Sequence, residues 1–156
     1  MSKLISFLLV FLVLGCQAND SFINPLIPKF ENVSFEVVQK QLVIEPKLPS
    51  HVQNLVSQWF DQKVKIDGFD GKMILTVSEF SEEISSISDG KRVDVSMSFN
   101  IIINKPSLSQ TQIIEGHISS YGTLTGNFSL ADFDKVIKNT QSDLVLRLSR
   151  DLKSKV

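Results

Sequence analysis

The segment VDVSMSFNIII, residues 93–103, decides the fold because its side chains alternate between apolar and polar over most of its length. This period of two is typical of a β-strand that buries one face and leaves the other to solvent. The dipeptide Asp89-Gly90 before it favours a tight hairpin, which predicts an antiparallel neighbour in the preceding strand. The predicted buried phase contains Val93, Val95, Met97, Phe99, Ile101 and Ile103.

Further strand patterns flank this hairpin. Apolar residues alternate through 73–77, and Lys105-Pro106-Ser107 turns the chain into another strand over about 110–124. Upstream, residues 33–44 indicate one more strand, whose alternation changes phase near Val38 and Gln39. We expect a bulge or bend at that point, because a shift of one residue exchanges the two faces of a strand.

Two amphipathic helices complete the pattern. Ser50 with Gln53 predicts a helix start after the strand-ending prolines, and Ser129 with Asp132 predicts the start of a longer helix that ends near residue 153. The order β-α-β-β-β-α predicts an α+β fold, a mostly antiparallel four-stranded sheet with both helices packed on one face. The apolar face of the first helix contains Val52, Leu55, Val56, Trp59, Phe60 and Val64.

The amino terminus has the features of a targeting segment. Lys3 precedes an almost unbroken apolar run over residues 4–14, which is too short to span a bilayer. Gly15 follows, and then Cys16, the single cysteine among 156 residues. We therefore divide the chain into a signal peptide (1–15), a tether (16–32) and one domain (33–156).

The residues Leu12-Val13-Leu14-Gly15-Cys16 resemble the lipobox of bacterial lipoproteins. The resemblance implies that the Cys16 thiol carries a diacylglycerol, that the signal is cut before it, and that a further acyl chain such as palmitate caps the new amine. Gln17, where an Asp would favour the inner membrane, implies the periplasmic face of the outer membrane. The alternatives are a plain secretory peptide cut near Ala18 and a core helix that begins the chain.

The sequence offers few groups for catalysis. His117 and Glu115 lie two residues apart on one face of a predicted strand, where they would orient an imidazole or ligate a metal. Glu79, Glu82, Glu83 and Asp89 indicate a solvated carboxylate cluster at a hairpin tip. No G-x-S-x-G, phosphate-binding or dinucleotide motif is present, so we expect no cofactor and no enzyme activity. With 16 basic and 17 acidic residues, the chain has no basic excess for nucleic acid.

The predicted outer face of the sheet mixes hydroxyls with isolated β-branched residues. Such a face suits docking of an envelope protein or of lipid acyl chains, unless another element such as the tether covers it. The docking residues predicted from the sequence are Ser96, Ser98, Ile102, Ile114 and Ile118.

The whole pattern resembles small lipoproteins of Gram-negative envelopes. The strand end SSYGTLTG (119–126) and the helix that finishes in LVLRL (144–148) are similar to the lipopolysaccharide-assembly lipoprotein and to auxiliary lipoproteins of ABC-type lipid transport. The stretch from FEVV (35–38) to WF (59–60) resembles an uncharacterised group of such lipoproteins. The anchor and the lack of grouped catalytic residues predict a non-enzymatic binding or scaffold module of the envelope, and the resemblance implies a role in lipopolysaccharide or lipid transport and assembly. The alternatives are an envelope hydrolase or metal-binding protein using His117 and Glu115, and a chiefly structural domain.

Overall fold

The computed structural model describes residues 29–156, so the predicted signal peptide, Cys16 and most of the tether lie outside the described residues. The elements in chain order are β1 (Val33–Phe35), β2 (Gln39–Ile44), α1 (Ser50–Lys63), β3 (Val64–Ile66), β4 (Lys72–Ile87), β5 (Gly90–Lys105), β6 (Gln110–Thr125) and α2 (Leu130–Lys155). One 3-10 turn, Pro106–Leu108, connects β5 to β6.

The main sheet has four strands in the order β2-β4-β5-β6. Strands β4, β5 and β6 are antiparallel, and β2 runs parallel to β4. The β4–β5 hairpin closes with Ile87 opposite Gly90, as the Asp89-Gly90 pair predicts. The α+β class and the mostly antiparallel four-stranded sheet are therefore confirmed.

The predicted single strand over residues 33–44 is two strands that belong to different sheets. β1 pairs in parallel with β3 in a separate two-stranded sheet, whereas β2 joins the main sheet. The chain bends at the predicted point, where the N–H groups of Val38 and Gln39 both donate to the Gly71 carbonyl at 3.2 and 3.3 Å. The strand β3 was not predicted, because Val64 continues the apolar spacing of α1. In the structure the helix ends at Lys63, and Val64 pairs with Val33 of β1.

Both helices cover the same face of the main sheet. The buried phase of β5 is the predicted one, with Val93, Met97 and Ile101 completely inaccessible to solvent. Helix α1 buries Val52, Val56, Trp59 and Phe60 against this layer, and the apolar residues that α2 buries are Leu144, Val145, Leu148 and Leu152.

The two predicted helix starts have different outcomes. At α2, Ser129 Oγ accepts from the Asp132 N–H at 3.2 Å, and an Asp132 carboxylate oxygen accepts from the Ser129 N–H at 3.0 Å. This reciprocal capping box confirms the prediction. At α1 the prediction was wrong, because Pro49 occupies the cap position and Ser50 is already helical. Gln53 Nε2 instead donates to the Leu48 carbonyl at 2.7 Å.

Helix α2 approaches β6 closely at Gly122. A Cβ at this position would collide with Thr140 Oγ1 on α2 and press on Val136. The glycine therefore has a packing role, since no larger residue fits between the strand and the helix. Within residues 29–156, no helix combines the length and the apolar character needed to cross a bilayer.

Candidate functional site

The face of the main sheet opposite the helices is the candidate site, and we call it the outer face. An apolar row crosses it, because Ile74 of β4 stands opposite Ile102 of β5, which stands opposite Ile113 of β6. Ile102 is 38% and Ile113 is 59% exposed. The outer face includes Ile74, Thr76, Ser78, Ser81, Ser96, Ser98, Asn100, Ile102, Ile113, Glu115, His117, Ser119 and Tyr121.

The structure corrects two of the predicted docking residues. Ser96, Ser98 and Ile102 lie on the outer face, but Ile114 and Ile118 are 9% and 8% exposed and belong to the hydrophobic core. Their partners in β5 are the buried Ile101 and Met97. The strand β6 therefore has the opposite phase from the one predicted, and Ile113 takes the place assigned to Ile114.

The sequence contains the information that decides which residues of β6 face the core. Ile113 and Ile114 are adjacent, so the apolar residues alone permit either phase. Glu115 and His117 share the phase of Ile113, and a charged side chain favours the solvated face. Gly116 belongs to the inner phase, where a Cβ would collide with the Phe99 ring.

A polar cluster at the centre of the outer face joins three strands. Ser98 Oγ donates to Glu79 Oε2 at 2.6 Å and lies 3.1 Å from His117 Nδ1. Glu79 sits at a β-bulge between Ser78 and Ser81 with a φ of 53°, a left-handed conformation that costs a non-glycine residue roughly 1–2 kcal/mol. Glu45 Oε2 accepts from the Glu79 N–H at 2.9 Å, which helps to hold the bulge.

This cluster differs from the predicted groupings. Glu79 and Glu82 are in a long strand, not at a hairpin tip, and they point to opposite faces: Glu82 accepts from Gln141 Nε2 of α2 at 2.8 Å. His117 and Glu115 share a face as predicted, but each contacts β5. Glu115 Oε1 accepts from Asn100 Nδ2 at 2.6 Å, and His117 contacts Ser98.

The geometry of the cluster is that of a fixed polar surface. In a catalytic triad the histidine lies between the serine and the carboxylate and receives the serine proton. Here Ser98 lies between Glu79 and His117, and its one proton points to Glu79. Within residues 29–156, no three His, Cys, Asp or Glu side chains are grouped to hold a metal ion.

A second rigid feature lies nearer the β4–β5 hairpin. Arg92 forms an ion pair with Asp94 at 2.7 Å, and its guanidinium stacks 4.5 Å from the centre of the Tyr121 ring. The hydrogen bond from Arg92 lowers the pKa of Asp94 below its ordinary value. The sequence analysis missed this group, although Arg92 and Asp94 at i and i+2 share one face of a strand. Tyr121 is 61% exposed, so the feature presents an aromatic surface to solvent.

Solved structures with a similar fold include lipoproteins of Gram-negative bacteria. A minor lipoprotein from Acinetobacter baumannii superposes with a TM-score of 0.53 at 9% identity, covering 75% of this chain and 91% of the other. The rare lipoprotein B from Shewanella oneidensis gives a TM-score of 0.48 at 16% identity, with 75% and 95% covered. At these identities the first similarity shows a shared fold alone. No model of a protein family matches the chain, and no curated protein matches its sequence.

Proposed function

We propose that this chain is a non-enzymatic lipoprotein of the Gram-negative envelope, anchored through acylated Cys16 to the periplasmic side of the outer membrane. Its proposed role is to bind another envelope component through the outer face, in lipopolysaccharide or lipid transport and assembly. The observation that carries this proposal is the asymmetry of the domain. Two helices cover one face of the sheet, and the described residues leave the other face with a row of partly exposed isoleucines.

The composition of the outer face supports binding. The apolar row contains Ile74, Ile102 and Ile113. Burial of this apolar surface by a partner would stabilise the complex by about 25 cal/mol per Å². Beside the row, Ser98 and His117 are already tied to neighbouring side chains. Preorganised polar groups of this kind add specificity at little entropic cost.

The amino-terminal sequence supports the anchor. A short apolar run followed by Gly15-Cys16 has the form of a lipobox, and acylation removes a lone thiol from an oxidising compartment. One acyl chain holds a protein only marginally, whereas two or three hold it stably. Mass spectrometry of the protein from its native host tests this part. A chain that begins at Cys16 and carries acyl groups is expected, and an uncut leader or a free thiol would contradict it.

The docking part is tested by photocrosslinking in native cells. The full chain carries p-benzoylphenylalanine at Ile113 or Ser119 on the outer face, or at Asp134, an exposed position on α2. We expect adducts from the first two positions and none from Asp134. Mass analysis distinguishes a lipopolysaccharide adduct from a protein adduct. Absence of outer-face adducts, or equal adducts from Asp134, would refute this docking surface.

A further inference from the structure

Two connections at one end of the sheet present apolar side chains to solvent. Phe69, between β3 and β4, is fully exposed at 102%. Leu108, in the 3-10 turn between β5 and β6, is 59% exposed. Water is an unfavourable environment for both side chains, because burial of apolar surface stabilises a protein or a complex. We call the end of the domain that carries both residues the loop end.

The two loops form one surface. Asp70 Oδ2 accepts from the Ser107 N–H at 2.9 Å, which ties the first loop to the second. Phe69 and Leu108 line the same surface cavity. Gly68 is packed so closely against the backbone of Glu36 and Val37, just after β1, that a Cβ would collide there. The apolar tips are therefore held side by side on a common support.

Basic residues lie around the apolar tips of the loop end. Lys65 and Lys72 flank the Phe69 loop, and Lys105 precedes the Leu108 turn, while the last turns of α2 add Arg150 and Lys153. The loop end also has acidic groups, because Asp67 and Asp70 lie beside Phe69 and Glu36 pairs with Lys105 at 3.3 Å. At the other end, Glu83 and Asp89 lie near Lys91 and Arg92 of the same hairpin, so the charge there is mixed.

The chain enters the described domain near the loop end. The Glu31 N–H donates to Ser149 Oγ at 3.3 Å, and its carboxylate accepts from Lys153 Nζ at 2.6 Å. Ser149 is six residues before the end of α2 at Lys155, a distance of about 9 Å along the helix. The residues between Cys16 and Lys29 span at most about 45 Å when extended. A short connection to an anchor at Cys16 therefore favours an orientation with the loop end toward the membrane.

We propose that the loop end is a membrane-facing surface, which places Phe69 and Leu108 in the interfacial layer of the phospholipid leaflet that holds the anchor. This inference rests on the proposed acylation of Cys16. Apolar tips flanked by lysines suit a leaflet with some anionic lipid. In this orientation the main sheet is roughly perpendicular to the membrane plane. The outer face is then exposed beside the domain, and the β4–β5 hairpin points away from the bilayer.

Depth-dependent quenching tests this orientation in the full, lipidated chain. The protein is reconstituted into vesicles of phosphatidylethanolamine and phosphatidylglycerol with brominated acyl chains. Single variants Phe69→Trp and Leu108→Trp report on the loop end. Leu130→Trp, 83% exposed and beside Lys91 near the hairpin, is the matched control. Trp59 is fully buried and gives a constant background.

We expect bromolipids to quench Trp emission at positions 69 and 108 and to leave position 130 unquenched. Quenching at 69 and 108 no stronger than at 130 would overturn the proposal. A blue-shifted but unquenched emission at 69 would also overturn it, because a protein or a second copy would then cover the tips.

Flotation of the same samples separates the two proposals. If the anchor holds, all variants float with the vesicles, including the double variant Phe69→Ser with Leu108→Ser. A wild-type protein that fails to float contradicts the anchor. A protein that floats with an unquenched tryptophan at position 69 contradicts only the membrane-facing loop end.

Discussion

At the scale of single residues, the capping box of α2 is the simplest feature to test. Ser129 Oγ accepts from the Asp132 N–H at 3.2 Å and satisfies an otherwise free donor of the first helical turn. We expect Ser129→Ala to lower the free energy of unfolding by about 1 kcal/mol. Urea denaturation monitored by circular dichroism measures this change. Ser50→Ala is the matched control, because Ser50 forms no cap at α1 and the substitution should have a much smaller effect.

Asp143 links β6 to α2 and makes stability depend on pH. Partial burial raises its pKa, but hydrogen bonds from Ser120 Oγ at 2.6 Å and Arg147 Nε at 2.8 Å lower it below the ordinary value of 3.8. A depressed folded-state pKa contributes stability that is present above the unfolded pKa and is lost as pH falls through the folded pKa.

We therefore expect wild type to exceed Asp143→Asn in stability by a constant margin at neutral pH. The margin should shrink once pH falls below 3.8, as the carboxylate becomes protonated in the folded state. Chemical denaturation across an acid pH series gives both curves. Ser120→Ala removes one of the two donors and raises the folded-state pKa of Asp143, so the loss should be smaller and complete at a higher pH. A margin that stays constant through the acid range would contradict this account.

At the scale of elements, β6 offers two isoleucines of opposite phase in one strand. Ile118 is 8% exposed and packs in the core, whereas Ile113 is 59% exposed on the outer face. Ile118→Ala should cost roughly 2–4 kcal/mol of stability, and Ile113→Ala should change it by less than about 0.5 kcal/mol. Thermal and urea unfolding of the pair measure the difference. Equal effects would mean that the strand does not have this register.

The elements also show what the sequence can predict. The strict alternation of β5 and the Asp89-Gly90 turn were sufficient for the central hairpin, because both signals are local. Pairing partners are not local. β3 follows α1 without a break, and only its contact with Val33, far away in sequence, makes Val64 a strand residue. The Glu79, Ser98 and His117 cluster was missed for the same reason, since each member comes from a different strand.

At the scale of the whole molecule, the domain is asymmetric in two directions. Across the sheet, helices cover one face and partly exposed isoleucines mark the other. Along the sheet, the loop end carries Phe69 and Leu108 on one surface and lies near the point where the chain enters the domain, and the β4–β5 hairpin lies at the opposite end. If the loop end faces the membrane, the outer face remains accessible to a partner beside the domain. The two proposals are therefore compatible in one orientation.

The proposed location in the outer membrane, as opposed to the inner membrane, rests on the single residue that follows Cys16. Gln17 follows Cys16, and the resemblance implies that an Asp there would favour the inner membrane. We expect Gln17→Asp to shift the protein from the outer- to the inner-membrane fraction of its native host, measured by density separation and immunoblotting. Asn19→Asp adds the same charge two residues later and should leave the distribution unchanged. If Gln17→Asp also remains in the outer membrane, position 17 does not determine the destination. If wild type is found in the inner membrane, the proposed location is wrong while the anchor itself still stands, because acylation of Cys16 precedes sorting.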